Sequence, residues 1–337
     1  TVFNGGLGPV TATIVVTPTF VNGGTSCSGP TKSFTITVNP TAQVTQPANI
    51  VVCNAATSAA VTFATTNTGG TNTYTWSNSD PSIGLAAGGT GNLPSFTAVN
   101  TGTSPITATI TVTPSFTNQL VTCTGPTKSF TITINPSAQV NQPGNQVVCN
   151  NLTTSAVTFG TISTGGTTTY TWTNDTPSIG LAATGTGNIA SFPVVNPGTA
   201  PVIATITVTP HFLNGAVTCD GPTKSFTIIV NPSAQVNQPA NQVVCHDQST
   251  ALITFSTLST GGNTTYTWTN DQPAIGLAAT GNGDIPAFTT SNTSTAPVTA
   301  SITVTPHFEN GSVSCTGPTK TFTITVNPAG QVNQPAS

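Results

Sequence analysis

Along most of the chain, apolar and polar positions alternate with a period of two. In Ile106-Thr-Ala-Thr-Ile-Thr-Val-Thr113, positions 106, 108, 110 and 112 face one way and threonines face the other. Phe130-Thr-Ile-Thr-Ile134 and Val61-Thr-Phe63 repeat the pattern, and Tyr74-Thr-Trp76 puts both aromatic rings on one side. Such alternation, with β-branched threonine outside, predicts half-buried antiparallel strands. Asn-Pro, Gly-Gly, Asp-Pro and Gly-Pro pairs punctuate the strands, and no segment shows a capped 3.6-residue period. Around seven short strands per unit, with a tryptophan on the third, predict an Ig-like β-sandwich.

The pattern recurs as a whole. Cys27, Cys53, Cys123, Cys149, Cys219, Cys245 and Cys315 are spaced alternately by 26 and 70 residues, a period of 96. Trp76, Trp172 and Trp268 keep this period, as do Tyr74, Tyr170 and Tyr266, and all four lysines, Lys32, Lys128, Lys224 and Lys320. Between Cys123–Val148 and Cys219–Val244, 22 of 26 residues are identical. The chain is a tandem array without insertions between these landmarks. The Asn-Pro pairs place boundaries at Pro40, Pro136, Pro232 and Pro328. Residues 1–40 are then the C-terminal half of a domain, 41–136, 137–232 and 233–328 are full repeats, and 329–337 begin another. This suggests a window on a longer repetitive protein, or a subunit whose split domain is completed by a neighbour through donor-strand exchange. A linker as short as Ser137–Pro143 predicts a stiff rod.

Composition narrows the function. Only 3% of residues are charged: four lysines, no arginine, seven acids, for a net charge of -3. That excludes a basic nucleic-acid footprint and a polybasic membrane patch. It also deprives the chain of the groups that acid–base catalysis uses. A hydrophobic fraction of 36% argues against disorder, and no apolar run is long enough to span a membrane as a helix. The lack of methionine and of a signal peptide suggests a mature or internal piece. There is no GxSxG, HExxH or P-loop motif and no carboxylate pair within a unit, so no enzyme, cofactor or metal is expected. Seven acids cannot furnish calcium sites at every linker, and at most Asp284 or Asp247 would help hold one weak ion. His211, His246 and His307 read as solvated loop residues.

Three strings carry a resemblance. Thr169–Ala183 (TYTWTNDTPSIGLAA), Ala204–Pro210 (ATITVTP) and Gly221–Ile228 (GPTKSFTI) resemble the PKD-like, Ig-like tandem repeats of very large secreted surface proteins of Bacteroidota. The likeness extends over essentially the whole chain. It implies an extracellular address and a structural or adhesive role, since such proteins are typically adhesins or surface filaments exported by type IX secretion, some tied to gliding motility.

With two cysteines per unit and no CxxC, disulfides are expected rather than zinc. Two ladders fit the spacing. One pairs Cys53–Cys123, Cys149–Cys219 and Cys245–Cys315, leaving Cys27 over. The other pairs Cys27–Cys53, Cys123–Cys149 and Cys219–Cys245, leaving Cys315. The first keeps each bridge within one domain, as related repeats do, and is the expected pairing. Reduced buried thiols are the remaining alternative. The lysines share parity with core positions and begin the last strand. They are read as snorkelling at the sheet end, against the sharper reading of an isopeptide bond to Asn or Asp with a nearby carboxylate such as Asp80, Asp175 or Asp271.

The threonine faces read as uncharged solvent surface rather than an ice-binding plane, and their low charge favours lateral or end-to-end self-association. The expected function is a non-catalytic stalk or shaft of an extracellular adhesin or filament. Its partners are neighbouring repeats, and any surface or glycan ligand is met by regions outside this chain. The alternatives are a multivalent carbohydrate-binding repeat, or a filament subunit completed by donor-strand exchange.

Overall fold

The computed structural model describes residues 1–332, so most of the expected next repeat at 329–337 lies outside the described residues. The chain is a tandem array of Ig-like β-sandwiches. Three six-stranded sheets share one order. In the first, Ile50–Cys53, Lys128–Asn135, Ile106–Asn118, Thr71–Asn78 and Gly88–Thr90 lie side by side, and Val121–Thr124 folds back on the end of Ile106–Asn118. Ile50–Cys53 runs parallel to Lys128–Asn135, with Cys53 opposite Asn135, and the other pairings are antiparallel. By contact, the chain forms two compact units. One comprises Thr1–Gln139, Thr161–Thr169 and Pro210–Pro222; the other comprises Val140–Gly160, Tyr170–Thr209 and Thr223–Ser337.

The alternating positions become the core. Ala108, Ile110 and Val112 are fully buried, packed with Phe130, Ile132, Ile134, Tyr74 and Trp76. Each large side chain so buried contributes about 1.5–3 kcal/mol. The second repeat buries the matching set around Trp172, Ile206 and Phe226, and the third around Trp268, Ile302 and Phe322. Outside, the threonines pair across strands, as in Thr107–Thr133 at 2.9 Å and Thr299–Thr325 at 2.9 Å, which supports strand pairing on a face that buries little.

The layer opposite this sheet departs from the expected strands. Val61-Thr-Phe63 forms a single bridge, Val61 to Leu93, in place of a continuous ladder. The reason is a side chain. The Phe63 backbone N–H donates to Asn92 Oδ1 at 3.0 Å, where a ladder would place a carbonyl. Asn188 and Asp284 do the same for Phe159 and Phe255. The tryptophan of each repeat lies over a backbone that passes close by. A Cβ on Gly89 would come within 2.5 Å of the Trp76 ring, so only glycine fits there.

Candidate functional site: the joint between repeats

The densest conserved-in-register chemistry lies where one repeat meets the next. In the first joint, the strand Ile50–Cys53 ends beside Asn135, and the hairpin of the following repeat, built from the end of Val202–Asn214 and Val217–Asp220, folds against it. Cys53 and Cys219 form a disulfide across the contact, with a Cα–Cα distance of 5.5 Å. Asn135 and Asn214 exchange amide hydrogen bonds: Asn214 Nδ2 donates to Asn135 Oδ1 at 2.8 Å, and Asn135 Nδ2 donates to the Asn214 carbonyl at 3.1 Å. Asn135 is wholly buried, so this reciprocity satisfies groups that would otherwise be stranded.

The hairpin turn sits on Val51. A Cβ on Gly215 would lie 3.1 Å from a Val51 methyl, and Gly215 also has φ of 58°, so two constraints select glycine. The same construction recurs 96 residues on. Cys149 is bonded to Cys315, Asn231 and Asn310 exchange the same two bonds, and a Cβ on Gly311 would lie 2.9 Å from Val147. Phe308 and Ala234, both fully buried, pack with this cystine. Upstream, Asn39 and Asn118 make the amide pair again, but Cys123 beside them carries a free thiol.

This pairing corrects the expected disulfides. Cys53–Cys123, Cys149–Cys219 and Cys245–Cys315 are not formed, and neither is the 26-residue ladder; Cys27, Cys123 and Cys245 are thiols. The two cysteines of one repeat lie at opposite ends of its long strand. Ile106 is opposite Ile134, next to the Cys53 end, whereas Phe116 is opposite Cys123. Ten residues of strand separate those ends by roughly 33 Å, against the 4.4–6.8 Å that a cystine tolerates between Cα atoms. The hairpin cysteine therefore bonds only to a neighbour. The signal was present in the sequence: the observed separation of 166 residues is one 70-residue spacing plus one period.

The lysines stand apart from this chemistry. Lys32, Lys128, Lys224 and Lys320 are exposed at the starts of their strands, opposite Val16, Val112, Val208 and Val304. The acids considered as their partners serve the backbone instead. Asp80 accepts from the Ser82 N–H at 3.0 Å, Asp175 from Thr205 at 2.8 Å and Asp271 from Ser301 at 2.7 Å. The Thr205 N–H and then the Thr176 hydroxyl hold the Asp175 carboxyl below its ordinary pKa.

None of the three histidines is a solvated loop residue: His211 and His307 lie within the strands Val202–Asn214 and Val298–Asn310, and His307 Nε2 is 3.0 Å from the Thr267 hydroxyl. His246 Nδ1 accepts from the Asn292 N–H at 2.9 Å, where Asn54 and Asn150 accept from Asn100 and Asn196. His211 Nδ1 lies 2.6 Å from Asp220 Oδ1 across the hairpin. Among the described residues, no three His, Cys, Asp or Glu side chains gather as a metal site would require, and no helix is long and apolar enough to cross a membrane.

A shallow groove of about 680 Å³ runs over Phe63, Tyr74, Asn72 and Asn92. The Phe63 and Tyr74 rings meet edge to face at 5.5 Å, and Tyr74 is only 9% exposed. Burial raises the Tyr74 hydroxyl above its ordinary pKa. Neither ring offers the open face on which a sugar stacks.

No family model matches the chain, and no curated protein matches it. Among solved structures it is similar to cadherin-23 EC22-24 of mouse, at 13% identity and a TM-score of 0.38, covering 86% of this chain and 99% of that one. The three N-terminal domains of the highly immunogenic outer capsid protein (Hoc) of bacteriophage RB49 give the same values. N-cadherin EC1-4 of Drosophila, at 13% identity and a TM-score of 0.33, covers 95% of this chain and 84% of that one.

Proposed function

We propose that this chain is a non-catalytic shaft segment of an extracellular adhesin or surface filament, holding a binding region away from the surface that bears it. The observation that carries this reading is the repeated joint. Cystine, buried amide pair and glycine-on-valine contact are built twice at one period, and among the described residues no three His, Cys, Asp or Glu side chains gather. Cystines between repeats require an oxidising compartment, which supports an extracellular address. The resemblance to secreted Bacteroidota repeats points the same way and makes type IX export the route to test.

Single-molecule pulling from the two ends checks the mechanical role. The oxidised chain is expected to resist and to give shorter extensions than the same chain in reductant. Equal extensions in both conditions, or unfolding at negligible force, would remove the stalk reading. Binding of the isolated chain to glycans with millimolar or better affinity would favour the carbohydrate-binding alternative.

A further inference from the structure

We infer that Asn214 and Asn310 are self-modification sites governed by the joint. Each loses its side-chain amide by cyclising onto the glycine that follows it, only while its joint is open, and the product keeps that joint from reseating. The sequence of each amide pair is asymmetric. Asn214 and Asn310, on the hairpins, precede Gly215 and Gly311, whereas their partners Asn135 and Asn231 precede Pro136 and Pro232. Cyclisation uses the backbone nitrogen of the next residue as its nucleophile. Glycine offers an uncrowded N–H, and proline has none. Each pair therefore sets one reactive asparagine against one inert one.

Seating and reaction compete for the same atoms. In the joint the Asn214 amide nitrogen donates to Asn135 Oδ1 at 2.8 Å, and the Asn214 carbonyl accepts from Asn135 Nδ2 at 3.1 Å. Asn231 holds Asn310 in the same way at 2.9 and 3.1 Å. To bring Cγ onto the glycine nitrogen, the side chain must turn away from its partner. That strands Asn135 or Asn231, both fully buried, without a donor. The cystines Cys53–Cys219 and Cys149–Cys315 keep the hairpins seated, so the side chain is freed only by local opening.

Two other asparagines mark the limits of this chemistry. Asn118 donates to Asn39 Oδ1 at 2.9 Å, as its counterparts do, but Gln119 follows it and its side chain crowds the attacking nitrogen. Asn282 precedes Gly283 away from the joints. There the Gly283 N–H donates to the Tyr266 carbonyl at 2.9 Å, so the nucleophile is engaged by the fold of its own repeat. Opening a joint leaves that bond in place.

In the reaction the Gly215 nitrogen loses its proton and bonds to Asn214 Cγ. The Cγ–Nδ2 bond breaks, and ammonia leaves carrying that proton. Water then opens the cyclic imide at either carbonyl, giving aspartate or isoaspartate at position 214. One water enters, one ammonia departs, and nothing is oxidised or reduced. Aspartate sets a carboxylate, which only accepts, against Asn135 Oδ1. Isoaspartate adds a methylene to the main chain ahead of Gly215, where even a Cβ would lie 3.1 Å from a Val51 methyl. Either product removes a contact that seats the hairpin. The inference depends on the joint and not on the mechanical role, so it and the shaft reading can fail separately.

The oxidised full chain, held at mildly alkaline pH and peptide-mapped over time, is expected to convert Asn214 and Asn310 roughly tenfold or more slowly than a peptide spanning 210–219. Reductant should speed both sites by about the same factor and leave Asn282 unchanged. In the oxidised chain, Asn135→Ala should speed Asn214 and not Asn310. Once the reductant is removed, chains converted at position 214 should keep Cys219 open to alkylation, while unconverted chains re-form its bond to Cys53. Conversion in the oxidised chain as fast as in the peptide would overturn the inference, as would rates that ignore the reductant. So would a reductant that speeds Asn282 equally, or converted chains that regain the Cys53–Cys219 bond as readily as the rest.

Discussion

At the scale of single residues, a few small side chains govern how closely the backbone approaches itself. A Cβ added to Gly221 would run into the carbonyl of Ala138, and the same holds for Gly125 with Ala42 and Gly317 with Ala234. The obstruction is backbone and cannot swing aside, so Gly221→Ala should cost about 3 kcal/mol, read as a lower midpoint in urea unfolding. Asp175 gives a pH effect. Its carboxyl is held low by the Thr205 N–H and the Thr176 hydroxyl, so the ionised form is favoured in the fold. Its contribution is present above the ordinary carboxylate range and is lost as pH falls through the lowered value. The Asp175 carboxyl should titrate by NMR at a lower pH than in a peptide spanning 171–180. Asp175→Ser, which copies the Ser79 hydroxyl that accepts from Thr109 at 2.8 Å, should remove that pH dependence.

At the scale of elements, the alternation of threonine with apolar residues was enough to read the long strand. The run at 106–113 lies within Ile106–Asn118, and of its inward residues Ala108, Ile110 and Val112 are buried and Ile106 is half-buried. Val61-Thr-Phe63 carries the same alternation and makes only one bridge, because the Asn92 side chain takes the Phe63 N–H. Period alone does not reveal a side chain 29 residues away that substitutes for a strand. The tight turns were partly legible too. Gln119 and Leu120 both have positive φ, at 48° and 66°, where the other hairpins place at least one glycine. Gln119→Gly should therefore stabilise that hairpin by about 1 kcal/mol, detected as slower amide exchange across Asn118–Val121. In the joint, Asn214→Ala removes the donor to the buried Asn135 Oδ1, keeps the bond from Asn135 Nδ2 to the residue-214 carbonyl, and should cost about 1–3 kcal/mol.

At the scale of the whole chain, the period of 96 residues announced a tandem array, but it did not say which cysteines would meet. Spacing gave 70 and 26; the answer depended on which end of the sandwich each cysteine occupies, a property of register that appears only when Phe116 is set opposite Cys123 and Cys53 opposite Asn135. The candidate site was thus legible in its residues and not in its connections. Each bridge closes a loop whose ends are 166 residues apart, so Cys53→Ser should lose about 5 kcal/mol on a chain-entropy estimate. The expected result is a lower melting temperature and new proteolytic cleavage around 137–143, with Cys315 still bonded to Cys149.

The two loops overlap without nesting, since Cys149 lies inside the first and Cys219 inside the second. A pull on the ends therefore follows the backbone to Cys53, crosses to Cys219, runs backwards to Cys149 and crosses again to Cys315. Residues 1–53, 149–219 and 315–337 bear the tension, fewer than half of the 337. The stretches 54–148 and 220–314 are slack, and their sandwich strands can melt without lengthening the molecule. The array is in effect a chain stitch, in which thiol chemistry, more than folding, sets how far the thread can be drawn out.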